Sequence, residues 1–194
     1  MSGCCSHHAS PILREMHYTD FMGEIIPNGE AGKRTAKLPF RDWAPLVKSV
    51  DYEKTKKDTM KFFVHSGLNG WETYVQFKEW NEQVADETVN ANEAARLLFW
   101  GGNLRLHCTC PSFSFWGFQY ILTELDAAIM PEDRFPHVRN PELKGIVCKH
   151  LLRTLKVLPF HLGDIAKEIK IQRQGIKAPA VPAVPMPGKK PLVA

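Results

Sequence analysis

The sequence predicts an α+β fold: a small antiparallel sheet with several short helices around it, set between an extended N-terminal arm and a Pro-rich C-terminal tail. Three stretches predict it. "MKFFVHS" and "WETYVQFKEW" alternate apolar and polar residues on either side of a "GLNG" turn, "IVCKHLLRTLKVL" places leucines at helical spacing, and "KAPAVPAVPMPGKKPLVA" carries proline at every third position from Pro179 to Pro185. With 194 residues, 44% hydrophobic and 24% charged, the chain can bury one good core, and a second full domain is not expected. The organisation read from these patterns is an extended arm over 1–59, a folded domain over 60–174 and a Pro-rich tail over 175–194.

Taken in order, the first forty residues mix Gly, Pro and polar residues without sustained periodicity, and "IIPNGEAGKRTAKLPF" reads as extended chain with turns. From Met60 a β-hairpin follows, with Trp71, Thr73, Val75 and Phe77 on one face and Glu72, Tyr74, Gln76 and Lys78 on the other. "NANEAARLLFW" offers Asn90 or Asn92 as an N-cap, and the "GG" after Trp100 stops the helix. "NLRLHC" alternates Leu104, Leu106 and Cys108 against Arg105 and His107, which predicts a strand ending at Cys108. "SFSFWGFQYILTELDAAI" reads as one aromatic, then aliphatic, helix, and the prolines of "MPEDRFPHVRNPELKG" read as a loop. Two short helices close the domain, the first carrying Leu151, Leu152, Leu155 and Leu158 and ending at Pro159. The proline period of the tail favours polyproline II over any packed element.

No apolar run approaches the roughly eighteen residues that cross a bilayer, and "MSGCCSHHASP" lacks the hydrophobic stretch of a signal peptide. The expectation is a soluble protein of a reducing cytoplasm, where five cysteines point to metal or redox chemistry rather than to a disulfide framework. The net charge of +4 is mild but uneven: nine Lys or Arg stand against three acids between Arg139 and Lys177. There is no GxSxG elbow, no phosphate-binding Gly-rich loop and no HExxH, so the sequence is read as non-enzymatic.

The cysteines supply the chemistry. Cys108 and Cys110 are separated by one residue, Cys148 and His150 repeat that gap, and thirty-seven residues (111–147) lie between the pairs. Three thiolates and an imidazole suit a tetrahedral zinc ion in a closed structural site with no open position for a substrate. A turn at Pro111 can bring both sulfurs of a strand end to one ion. Cys148 and His150 would stand about 200° apart on a regular helix, so they must straddle its first turn, with Gly145 allowing a tight entry. His107 and His161 compete for the fourth position, although a regular strand turns His107 away from Cys108. The alternative without metal is three buried cysteines and a capping histidine.

CxC followed by proline, a spacer, and "CKHL" opening a helix resemble the SWIM-type zinc finger. The resemblance covers roughly residues 103–158 and implies that Cys108, Cys110, Cys148 and His150 are zinc ligands; the spacer is longer than is usual for that family. The wider stretch, "ARLLFWGGNLRLHCTCPSF" through "NPELKGIVCKHLLRTLKVLP", is similar to uncharacterised proteins of large tailed bacteriophages, which implies a viral protein of the virion or the host bacterial cytoplasm.

Other residues offer weaker candidates. Cys4, Cys5, His7 and His8 invite a second metal site, but adjacent cysteines chelate awkwardly and a solvated chain end is the simpler reading. Phe113, Phe115, Trp116, Phe118 and Tyr120 could stack bases, yet aromatics beside a metal read as core. Glu124, Asp126, Glu132 and Asp133 read as solvated charge rather than a divalent site. Lys149, Arg153 and Lys156 form one stripe of a helix and are the candidate phosphate contacts. Two functions follow: an interaction or assembly protein whose partners are other subunits of a larger assembly, or a nucleic-acid-binding module whose partner is DNA. Neither involves a membrane or a small-molecule substrate.

Overall fold

Alternation of apolar and polar residues is what builds the centre of this chain. The computed structural model describes residues 16–23 and 47–177. Four antiparallel strands, β1 (Val47–Lys56), β2 (Thr59–Ser66), β3 (Asn69–Phe77) and β4 (Leu104–Cys108), lie in the order β1-β2-β3-β4. Met60, Phe62 and Val64 on β2, Thr73, Val75 and Phe77 on β3, and Leu104, Leu106 and Cys108 on β4 all point to one buried face. The opposite face carries Lys61, Tyr74 and His107, and Lys61 bridges Glu53 and Glu72 there. The predicted hairpin is therefore present, turning at Gly67 with φ +66°, and β3 pairs with β4 so that Thr73 stands opposite Cys108 and Phe77 opposite Leu104.

Helices cover the buried face. They are α1 (Tyr18–Gly23), α2 (Trp80–Ala85), α3 (Ala91–Gly101), α4 (Pro111–Phe115), α5 (Phe118–Glu124), α6 (Lys149–Val157) and α7 (Leu162–Lys177), with a 3-10 turn at Leu158–His161 between the last two. Asn90 caps α3 as predicted, its Oδ1 accepting from the backbone N–H of Asn92 and Glu93, both at 3.0 Å. Leu151, Leu152, Leu155 and Leu158 are buried, α7 packs along α3, and Ile165, Ala166 and Ile169 of α7 are buried.

Part of the stretch read as an extended arm is folded. Met16, Tyr18 and Phe21 are buried, Met16 O accepts from Leu104 N, and β1 is a full member of the sheet, so the domain starts before residue 60. β1 escapes an alternation test because register shifts between Val47 and Ser49 and between Tyr52 and Lys54 break its parity, and because an edge strand carries charge. At the other end, α7 is sixteen residues long and runs to Lys177, past the boundary at 174. Gly163 and Gly175 weaken its helical signal in the sequence, and the packing of its buried residues overrides that loss.

The single helix expected over 112–129 is broken in two at Gly117, whose φ is +74°. A Cβ there would stand 2.3 Å from Cγ of Pro136. Gly117→Ala should therefore destabilise the fold by about 1–3 kcal/mol, from left-handed backbone strain and overpacking together. Chemical denaturation with an unchanged slope checks this; an unchanged midpoint would mean that the 125–148 connection is not seated on Gly117 as described.

Candidate metal centre

β4 delivers Cys108 to the core face at its last residue, 1% exposed. Thr109 then ties the turn to β3: its backbone N–H donates to Glu72 O and its Oγ1 accepts from Glu72 N, each at 3.0 Å. Cys110 is the N-cap of α4, with extended backbone before Pro111, and its N–H lies 3.5 Å from Cys108 Sγ. Proline at the first helical position fixes the turn without losing a needed donor.

The second pair arrives from a connection, residues 125–148, that has no helix or strand of its own. Asn140, 4% exposed, knits it: Nδ2 donates to Trp116 O at 3.1 Å and Lys144 O at 2.9 Å, and Oδ1 accepts from Lys144 N at 2.8 Å. Gly145 follows in the left-handed region with φ +76°. Cys148 is then the N-cap of α6 and His150 the second residue of the helix, so the pair straddles the helix start.

Cys108, Cys110, Cys148 and His150 converge, with one ligand atom from each lying within 4.8 Å of all the others. Nδ1 of His150 is 3.9 Å from Cys108 Sγ. Tetrahedral coordination at ordinary zinc–sulfur distances needs sulfurs about 3.8 Å apart, so small side-chain movements close this group around one ion. All four residues are buried, with no more than 3% of any of them exposed. The Nε2 atom of His150, buried and without a hydrogen-bond partner, sits on the far side of a ring whose Nδ1 faces the thiols.

The electrostatics fit a cation. Burial pushes the thiols of Cys108 and Cys148 up, since a thiolate there is poorly solvated. Cys110 is held far below the ordinary thiol range because Cys108, Cys148 and then His150 hydrogen-bond to it. Ionising all three sulfurs so close together needs a positive charge among them, which is what a bound metal ion supplies. The four residues could hold a metal ion, and three sulfurs with one nitrogen is a donor set that soft and borderline metals favour.

The competing histidines stand elsewhere. His107 faces Tyr74 and Phe113, at ring separations of 5.9 and 5.4 Å, and its burial lowers its pKa. His161 is bound to Asp164 at 2.9 Å and stacks on Tyr52 at 4.8 Å. Asp126 is paired with Lys78 and Arg105, and Glu132 with Arg134, so these acids serve ion pairs. Of the aromatics, Phe113 and Phe118 are core, whereas Phe115 is 70% exposed. Lys149 and Arg153 are half-buried and Lys156 is exposed along α6. Cys4, Cys5, His7 and His8 lie outside the described residues.

One support of the site escapes sequence reasoning. Thr73 and Thr154, both 0% exposed, share a 2.7 Å hydroxyl hydrogen bond that joins β3 to α6 one turn after His150, and Thr154 also donates to His150 O at 3.1 Å. A threonine on the apolar face of each element was the available signal. Thr154→Val should cost about 1–3 kcal/mol by stranding the Thr73 hydroxyl, and adding Thr73→Val should recover part of that loss. A double-mutant cycle measures it, and purely additive losses would contradict the pairing. The chain matches no family model, no curated protein and no solved structure.

Proposed function

We propose that this chain is a non-enzymatic interaction module, closed by one structural zinc ion on Cys108, Cys110, Cys148 and His150, that works as an assembly component. The observation that carries the reading is the burial of all four groups at the junction of β4, α4 and α6. A closed set of three thiolates and one imidazole holds zinc and leaves no position for a substrate. Bound there, zinc would join a strand end to a helix start across thirty-seven intervening residues, where it reinforces a domain of modest size. The SWIM-type resemblance supports the same four ligands. The setting we propose, a tailed bacteriophage particle or its assembly in the bacterial cytoplasm, rests on the sequence resemblance.

A nucleic-acid-binding role is the second reading, favoured by one feature. α6 buries its leucines on the sheet and carries Lys149, Arg153 and Lys156 at i, i+4 and i+7, so a cationic stripe rides on the element that the metal would anchor. Ionic strength separates the two. Sedimentation of the full chain, with and without duplex and single-stranded DNA, should show self-association or protein complexes that persist as salt rises. DNA binding that weakens steeply and linearly on a log–log salt plot would transfer the proposal to the second reading.

A further inference from the structure

The sheet has two outer edges, and they are treated differently. Along β4 the edge is closed by backbone bonds: Leu104 N donates to Met16 O, Leu106 N to Ala127 O and Ile129 N to Leu106 O. β1 is the opposite edge strand, ten residues long, and among the described residues no backbone group outside β2 bonds to it. An open row of backbone N–H and C=O groups is a template for another extended chain.

What β1 shows along that edge is positive charge. Its acids are taken by β2, Asp51 by His65 at 2.8 Å and Glu53 by Lys61 at 3.0 Å. Lys48, Lys54 and Lys56 are exposed and in no ion pair among the described residues, and exposed Lys57 follows in the turn. The two sides of the edge differ. Lys54 and Lys56 stand opposite Lys61 and Thr59 on the outer face, whereas Tyr52 and Thr55 stand opposite buried Phe62 and Met60. On that inner side His161 stacks on Tyr52, and Phe160, the residue before it, is 84% exposed. A strand laid along β1 therefore meets lysines with one set of alternate side chains and an aromatic flank with the other.

We propose that the β1 edge takes an extended segment of a partner subunit as an added strand, one that alternates acidic and apolar residues. This partner presupposes the assembly role proposed above and gives it a chemistry. Main-chain hydrogen bonds supply the affinity, and carboxylates set opposite Lys54 and Lys56 supply the choice. The register shifts at Val47/Ser49 and Tyr52/Lys54 divide the edge into short runs, Ser49–Tyr52 and Lys54–Lys56, so the match of charge counts for more than length. A second copy of β1 is the wrong partner, because it brings the same lysines to the seam. Nucleic acid would use the lysines but leave the backbone groups of the edge unmatched.

The test titrates a capped peptide of alternating Glu and Val into the full-length protein and follows the backbone amides by NMR and hydrogen exchange. Three other probes run beside it: the Lys-for-Glu peptide, a fully N-methylated copy and an oligo-dT strand. In the free protein the β1 amides that point away from β2 should exchange fast, and the Glu/Val peptide should bind saturably and protect them. Lys54→Glu with Lys56→Glu, both exposed, should weaken that binding by about tenfold or more while leaving metal content and melting unchanged. The Lys-for-Glu and N-methylated peptides should not bind. No binding of the Glu/Val peptide, or binding that ignores the N-methyl groups or the charge reversals, would overturn the added strand. β1 amides already protected in the free protein would show a closed edge and overturn it as well. Oligo-dT that binds at β1 more tightly than the peptide would overturn a protein segment as the occupant. Any of these failures with salt-resistant complexes still present in sedimentation would leave the assembly role standing, whereas the absence of such complexes would overturn that role itself.

Discussion

Cys148→Ala will lose the cooperative melting transition of the region from Leu104 to Leu158, and the protein will not retain metal. Structural zinc contributes about 10–16 kcal/mol of apparent folding free energy in small metallo-domains, while whole domains are stable by about 5–15 kcal/mol. Removing one ligand of a closed site therefore removes an amount comparable with the whole. If the same residues are merely packed thiols, the substitution trims one small buried group and costs about 1–3 kcal/mol, as ordinary core changes do. The two readings differ by several kcal/mol, so thermal melting with metal analysis separates them. A Cys148→Ala protein that kept both its transition and its metal would end the zinc reading.

Arg173→Ala should unlock the C-terminal helix. From α7, the Arg173 guanidinium donates to four backbone carbonyls: Nε to Val84 at 3.2 Å, Nη1 to Val89 at 2.9 Å, and Nη2 to Gln83 at 2.6 Å and Asp86 at 2.5 Å. Those carbonyls belong to the last turn of α2 and the loop that follows, where helical C=O groups lack internal partners and a cation is favoured. Each bond to a charged donor contributes about 1.5–3 kcal/mol, and because the four act as a unit the expected loss is about 3 kcal/mol rather than their sum. Arg173→Lys should recover little, since one ammonium cannot satisfy a fork of carbonyls. Denaturation midpoints for both variants check this, together with faster amide exchange over 83–89 in Arg173→Ala. A lysine variant as stable as wild type would show that charge alone, not the fork, holds α7.

The parts of this fold that were legible in the sequence are those in which one period runs unbroken. β2 and β3 alternate without a bulge, and α3 announces itself by Asn90 and the glycines after Trp100. The repeated one-residue gaps made the candidate ligands legible, with His107 and His161 competing for the fourth position, and the structure brings the donor atoms of Cys108, Cys110, Cys148 and His150 together. What was not legible depends on tertiary contacts. β1 hides behind two register shifts, α1 is six residues whose burial comes from α3 and α6, and Gly117 splits a helix because Pro136 arrives from nineteen residues away. In the sequence Arg173 is one more charge in a basic third of the chain, because its four acceptors come from a helix end and loop some ninety residues earlier. Phe115 looked like core because aromatic runs usually are, and only the turn of α4 shows which members of the run face outward.

The most direct measurement is the metal content of the purified full-length protein by elemental mass spectrometry, with melting followed as a chelator is added. The account predicts one zinc per chain, released together with the fold. A protein that carries no metal, or that melts identically after its zinc is stripped, would contradict it and leave Cys108, Cys110, Cys148 and His150 as core residues.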